Sequence, residues 1–314
     1  MESTDGGYAT KDHVSPKGHF WACGLLSVFA WFALGPLSAQ ATITAIIDVT
    51  GDGGGNTLDS PVGIAVDGSG NVYVVGEFSH NAFKITPGGV KTEIIDATGD
   101  GGGNTLDFPF GPAVDGSGNV YVTGDISNNA FKITPGGVKT EIIDATGDGG
   151  GNTLFGPLDI AVDGSGNVYV TGYGTDNAFK ITPGGVKTEI IDATGDGAGN
   201  TLDFPVGIAV DGSGNVYVAG YSSDNAFKIT PGGVKTEIID ATGDGGGNVL
   251  DTPNAIAVDG SGNVYVGGYG SNNAFKITPG GAAIPALSMQ GSAVLVVLLV
   301  GAALVVRARG RRVL

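Results

Sequence analysis

The decapeptide Ala-Val-Asp-Gly-Ser-Gly-Asn-Val-Tyr-Val occurs five times, unchanged, in this 314-residue chain. Its aspartates are Asp67, Asp115, Asp163, Asp211 and Asp259, each 48 residues after the last. A fixed period of this length signals an array of one small module. One such unit cannot bury enough apolar surface to stand alone, so the copies must pack on one another.

Residues 60–96 serve as the specimen unit. Gly63–Val66 reads as a short apolar strand, and Asp67–Asn71 as a tight turn. There glycines accept positive φ and the Asp67 carboxylate takes backbone N–H bonds. Val72–Val75 returns as a second strand of β-branched and aromatic residues. Ala82–Ile85 forms a third strand after the loop Gly76–Asn81. Pro87-Gly88-Gly89 turns the chain into a fourth strand, Val90–Ile95, with Lys91 and Glu93 alternating against apolar neighbours. No part of the unit has helical periodicity. The sequence therefore predicts an all-β chain, a β-propeller of five four-stranded blades with repeats near 49–96, 97–144, 145–192, 193–240 and 241–282.

A ring needs a closure. The fifth unit stops at Gly281 without a fourth strand, while Thr42–Asp48 reproduces that strand at the front: its last five residues align with Thr92–Asp96. The N-terminal strand is thus expected to complete the last blade. An open solenoid would leave both unfinished edges exposed.

With these residues in view, the units resemble NHL repeats of the long bacterial kind. The resemblance rests on Gly99–Gly102, Pro61–Asp67, Gly70–Val74 and Asn81–Gly89 with their counterparts, and covers residues 42–282. The second and third of these blocks also resemble the bacterial beta-propeller repeat family. NHL rings commonly have six blades, whereas five are counted here. The resemblance implies a binding platform for most such propellers and a lactonase or lyase for some relatives.

The repeats hold nine Lys, no Arg and 28 Asp plus Glu, a net charge of about −19. A body so acidic excludes nucleic acid and anionic membrane as partners, which need Lys and Arg patches. Cys23 is the only cysteine and lies outside the repeats, so the body has neither disulfides nor thiolate metal sites.

Both ends carry addresses. In residues 1–41, Lys11 and Lys17 precede an apolar stretch, Phe20–Leu37, and Ala39-Gln40-Ala41 offers small residues at −3 and −1. This predicts an export signal cut by signal peptidase after Ala41; the alternative is an uncleaved anchor. At the other end, 283–314, Leu287–Val306 is 20 uncharged residues, enough to span a hydrocarbon core of about 30 Å as a transmembrane helix. Arg307, Arg309, Arg311 and Arg312 follow, which places the repeats outside the cytoplasm. Ile284, Pro285, Leu287 and Ser288 resemble the opening of IPTL-CTERM sorting signals, relatives of PEP-CTERM tags. That resemblance implies a Gram-negative bacterial source and an exosortase-type protease that removes the tail on the way to the cell surface. Ala286 and Met289-Gln290-Gly291 depart from the usual motif, and a simple tail anchor is the other reading.

The units are nearly constant at the turns Asp67–Asn71 and Pro87–Gly89, and they differ in the loops that emerge on the opposite face. Glu77, Asp125, Tyr173, Tyr221 and Tyr269 align with one another, as do His80, Asn128, Asp176, Asp224 and Asn272. Val62, Phe110, Leu158, Val206 and Asn254 differ likewise. This face is the expected ligand face, with Glu77, His80, Asp125, Tyr173, Tyr221 and Tyr269 as its candidates and a surface protein or glycan as partner. Drift after duplication would give the same pattern. Asp96, Thr98, Asp100, Asn104 and Asp107 are spaced like a calcium loop and make calcium the one candidate cofactor; Asx turns account for the same residues. No Ser/His/Asp set or zinc spacing is present and no catalytic residue is assigned, so a binding or structural role is expected over a metal-dependent hydrolase or lyase.

Overall fold

The computed structural model describes residues 42–280. The expected export signal, the apolar segment Leu287–Val306, the sorting residues Ile284 to Ser288 and the terminal arginines lie outside the described residues. Among those described, no helix is long and apolar enough to cross a membrane. The chain divides into two compact units between Thr44 and Ala45, and the repeats lie in the second.

Each repeat forms its own antiparallel sheet. Blade 1 comprises β1 (Pro61–Val66), β2 (Val72–Gly76), β3 (Asn81–Ile85) and β4 (Lys91–Ile95). Blade 2 comprises β5 (Pro109–Val114), β6 (Val120–Gly124), β7 (Asn129–Ile133) and β8 (Lys139–Ile143). In blade 3 these are β9 (Ile160–Val162), β10 (Val168–Gly172), β11 (Asn177–Ile181) and β12 (Lys187–Ile191). Blade 4 has β13 (Pro205–Val210), β14 (Val216–Gly220), β15 (Asn225–Ile229) and β16 (Lys235–Ile239). Blade 5 has β17 (Pro253–Val258), β18 (Val264–Gly268) and β19 (Asn273–Ile277). In every sheet the strands pair in chain order, so each is a meander.

The repeated aspartate sets the first turn. Asp67 Oδ1 accepts the N–H groups of Ser69 and Asn71, both at 2.9 Å. Its Oδ2 accepts Asn71 Nδ2 at 2.7 Å and the Tyr73 hydroxyl at 3.0 Å. The same set of bonds recurs at Asp115, Asp163, Asp211 and Asp259. The Asn71 bond and its companions hold the Asp67 carboxyl down at about 2, and burial pushes the Tyr73 hydroxyl up to about 12.

The Tyr ring joins one blade to the next. Tyr73, Val75, Ala82 and Ile95 of blade 1 form one buried cluster with Leu106, Val120, Val122, Phe131 and Ile133 of blade 2. Equivalent residues pack at the blade 2–3, 3–4 and 4–5 seams. The innermost strands approach so closely that a Cβ on Gly63 of β1 would lie 2.3 Å from the Phe110 carbonyl oxygen of β5. Only glycine fits there.

The expected closing strand is not formed. Thr42–Asp48 contains no strand, Ile43 is 98% exposed, and the last sheet has three strands rather than four. At the two ends of the array β1 and blade 5 are less covered than their copies. Blade 1 buries Leu58, Val74, Phe83 and Ile85 in a cluster against which Ile47 and Val72 pack, and no other blade contributes to it. Ile64 and Val66 of β1 are 66% and 61% exposed, and Tyr265 of blade 5 is 38% exposed where Tyr73 is 1%. Sequence complementarity identified matching surfaces, yet a row of main-chain bonds requires the segment to lie along β19, and packing of Ile47 against blade 1 does not supply that.

The open seam ranks otherwise identical residues. Tyr217→Ala, at a packed seam, is expected to cost about 3–5 kcal/mol. Tyr265→Ala should cost well under half as much, as read from urea unfolding midpoints. In the central blade, Asp163→Ala strands two backbone donors and the Tyr169 hydroxyl; a loss of about 2–4 kcal/mol is expected in the same measurement.

Candidate functional site

The loop before each first strand and the loop between the second and third strands meet on one face, as the meander requires. Glu77 N–H donates to the Ser60 carbonyl at 3.0 Å, and Asp125, Tyr173, Tyr221 and Tyr269 make the same bond to Phe108, Gly156, Phe204 and Thr252. The five aligned candidates therefore occupy one ring of equivalent places.

His80 and its counterparts have another task. Phe108 N–H donates to His80 Nδ1 at 3.1 Å, Gly156 N–H to Asn128 Oδ1 at 2.8 Å, Phe204 N–H to Asp176 Oδ1 at 2.9 Å and Thr252 N–H to Asp224 Oδ1 at 2.7 Å. Each of these residues latches its own blade to the next. All adopt φ near +50°, which suits Asn and Asp better than other side chains. His80 Nδ1 also lies 2.9 Å from Asp107 Oδ1. One nitrogen cannot accept from Phe108 and donate to Asp107 at once, so the latch requires the tautomer with Nδ1 unprotonated. The variety at this position was read from the sequence as ligand recognition; for blades 1 to 4 the structure makes it a set of interchangeable acceptors.

The remaining candidates fall into two neighbouring groups. Glu77, Asp107 and Asp125 form an acidic patch over blades 1 and 2, where burial and the charges of Glu77 and Asp107 raise the Asp125 carboxyl. Burial raises the Tyr173 hydroxyl, and the Asp125 charge adds to it. Tyr173 opens a single 3-10 turn, Tyr173–Thr175. Its ring lies 6.4 Å from Phe155 and 4.5 Å from Phe204, and Phe204 lies 5.8 Å from Tyr221. Tyr269, in the next blade, is 67% exposed. Phe78, Phe108 and His80 form a second ring group, with Phe108 centred 5.5 Å from Phe78 and 5.1 Å from His80. Sequence comparison singled out Tyr173 and Tyr221 but missed Phe108, Phe155 and Phe204. The available signal was the aligned Phe-Pro pair at Phe108-Pro109 and Phe204-Pro205.

Below this face the first strands of blades 1, 2, 4 and 5 and the segment before β9 line a channel of about 410 Å³, with Val62, Ile64, Phe110, Leu158, Val206 and Ile256 in its wall. Its one carboxylate is Asp159, whose Oδ1 accepts Ile160 N–H and whose Oδ2 accepts Ile208 N–H, both at 2.9 Å. Asp159 thus bridges blades 3 and 4. The residue keeps some exposure to the channel, but its carboxyl is the enclosed part, and burial pushes it up to about 6 against the two donors.

The calcium-loop residues do not converge. Asp96 Oδ1 accepts from the backbone and hydroxyl of Thr98. Asp100 takes Gly102 N–H at 2.8 Å and Asn104 Nδ2 at 2.7 Å, while Asp107 faces His80. Gly99 has φ +61°, and a Cβ there would lie 1.9 Å from the Asn104 carbonyl oxygen, so the loop closes on itself. Among the described residues no group of three or more acidic, His or Cys side chains is placed to hold a metal ion.

A family model described as "Beta-propeller repeat" matches residues 53–81, 149–180, 196–228 and 245–276. Four stretches of the chain are thus similar to that repeat. The structure is similar to a virginiamycin B lyase from Staphylococcus aureus, with a TM-score of 0.55 and 19% identity over 70% of this chain and 67% of that one. It is also similar to a streptogramin B lyase, with a TM-score of 0.52 and 18% identity over 68% and 67% of the two chains. A nidogen/laminin complex contains a third similar chain, with a TM-score of 0.54 and 20% identity over 70% and 76%. At such identities the likeness is one of fold. A search of the curated proteins finds no match.

The carboxyls give the fold a pH optimum. Asp159, raised above its unfolded value, binds its proton more tightly when folded, so stability rises as pH falls from about 6 to about 4. Burial raises Glu93, Glu141, Glu189 and Glu237 in the same direction. The turn aspartates are depressed, so their contribution is present above about pH 4 and is lost as pH falls toward about 2. Urea midpoints should therefore peak between about pH 4 and 5. Asp159→Asn should flatten the rise between pH 7 and that optimum.

Proposed function

We propose that this chain is an exported binding propeller that works outside the cytoplasm and presents the variable face to a ligand. Residues 1–41 would direct its export, and 283–314 would anchor it in the membrane or sort it to the cell surface. One observation supports the binding role above the others. In blades otherwise almost identical, the side chains that differ meet on one face, where Glu77, Asp125, Tyr173, Tyr221 and Tyr269 hold equivalent places and Phe155, Tyr173, Phe204 and Tyr221 form a row.

The test is saturable binding of the fluorescently labelled full chain to a bacterial envelope fraction. Tyr173→Ser with Tyr221→Ser should weaken binding at least tenfold, and Lys84→Ser on a blade strand should leave it unchanged. Equal binding by the double variant would overturn the reading. For the tail, mass spectrometry of the mature protein is expected to show cleavage near Ile284–Ser288; an intact Arg311-Arg312 end would mean an anchor without sorting.

The rival reading is a metal-dependent hydrolase or lyase of the propeller lactonase type, centred on the channel. It draws on fold similarity to the virginiamycin B and streptogramin B lyases and on Asp159 in the channel wall. Both Asp159 oxygens already serve backbone donors, which argues for a bracing role. Opening of a lactone by the full chain with added divalent metal, lost in Asp159→Ala, would favour the enzyme.

A further inference from the structure

The aromatic row costs the backbone something that the fold does not require. Phe108 and Phe204 hold φ at 50° and 55°, the left-handed region where a bulky side chain is strained. Blade 3 has Gly156 at the equivalent place, with φ 65°, a conformation glycine takes without penalty. Ser60 and Thr252 hold φ at 49° and 46° at the equivalent places, so the turn takes small residues and glycine, and Phe204 sets a ring of the row there. One end of the row is open to solvent, Phe155 being 51% exposed, and Tyr269 in the next blade is 67% exposed. The packed seams bury their apolar side chains almost completely, so these rings are not needed to fill them.

Charge narrows the ligand. The nine lysines of the body all sit on the third and fourth strands of the repeats, and none lies in the loops of this face. A polymer rich in carboxylate or sulfate would meet only like charge there. A neutral sugar chain meets no such barrier. The C–H groups on one side of a pyranose ring carry slight positive charge and lie well on the negative face of an aromatic ring. Its hydroxyls donate to carboxylates, and Asp125 holds the place in blade 2 that Tyr173 and Tyr221 hold in blades 3 and 4. Asp203, raised by burial and the Asp176 charge, stands beside Phe204 in sequence.

We propose that Phe155, Tyr173, Phe204 and Tyr221, with Tyr269 beyond them, bind a neutral polysaccharide whose hydroxyls are read by Asp125 and Asp203. This rests on the binding-platform reading of the same face and names its ligand class.

Affinity electrophoresis of the full chain tests the proposal, in a detergent without a sugar headgroup, through gels cast with galactomannan, mixed-linkage β-glucan or hydroxyethyl cellulose. Alginate serves as the anionic comparison. At least one neutral polymer should retard the chain and alginate should not. Tyr173→Ala and Tyr221→Ala should each weaken retardation about tenfold or more, whereas Tyr173→Phe, which keeps the ring, should stay within about threefold. Tyr269→Ala, at an exposed position, gives a variant whose folding is not in question and should also weaken it. No retardation by any of the three neutral polymers, stronger retardation by alginate, or unchanged retardation of the three Ala variants would overturn the proposal. The envelope-binding assay separates the two levels: tyrosine-dependent envelope binding without polysaccharide binding removes the ligand class and leaves the platform, and tyrosine-independent envelope binding removes both.

Discussion

The hydrogen bond from the Tyr73 hydroxyl to Asp67, repeated in every blade, connects the two scales of this fold. On one side it belongs to a five-residue turn whose donors are saturated by a single carboxylate. On the other it fixes a ring that forms part of the contact with the next blade. A turn residue and a seam residue are therefore not independent choices. This coupling gives a physical reason for the decapeptide that contains both to stand unchanged in all five copies, while loops a few residues away differ.

Most of the architecture was legible for that reason. The alternation around Lys84 and Lys91, the turn at Asp67–Asn71 and the Pro-Gly-Gly turn each specify local geometry, and the strand bounds fell within a residue or two of those read from sequence. Blade 3 departs most, because Leu158 and Asp159 replace strand residues and β9 is cut to Ile160–Val162. Closure was less legible. Thr42–Asp48 has the residues of a fourth strand, but sequence likeness states what a segment could pair with, and pairing depends on where the array brings the chain ends.

The candidate face was half legible. Comparing copies located it and selected Tyr173, Tyr221 and Asp125, since exposed differences stand out against a constant background. It did not reveal that His80 accepts a backbone N–H 28 residues away in the next blade. An acceptor needed only for its lone pair can be His, Asn or Asp, so structural bracing produced variation that looks like recognition. Phe204 escaped for the opposite reason: its ring belongs to a row assembled from separate blades, which no single alignment column displays.

The seams have a consequence for how such a chain changes over time. Every packed seam joins the same two faces, so a 48-residue unit added or removed anywhere leaves each internal contact as it was. Nothing in a seam records how many blades precede it. Blade number is then not written into any packed seam.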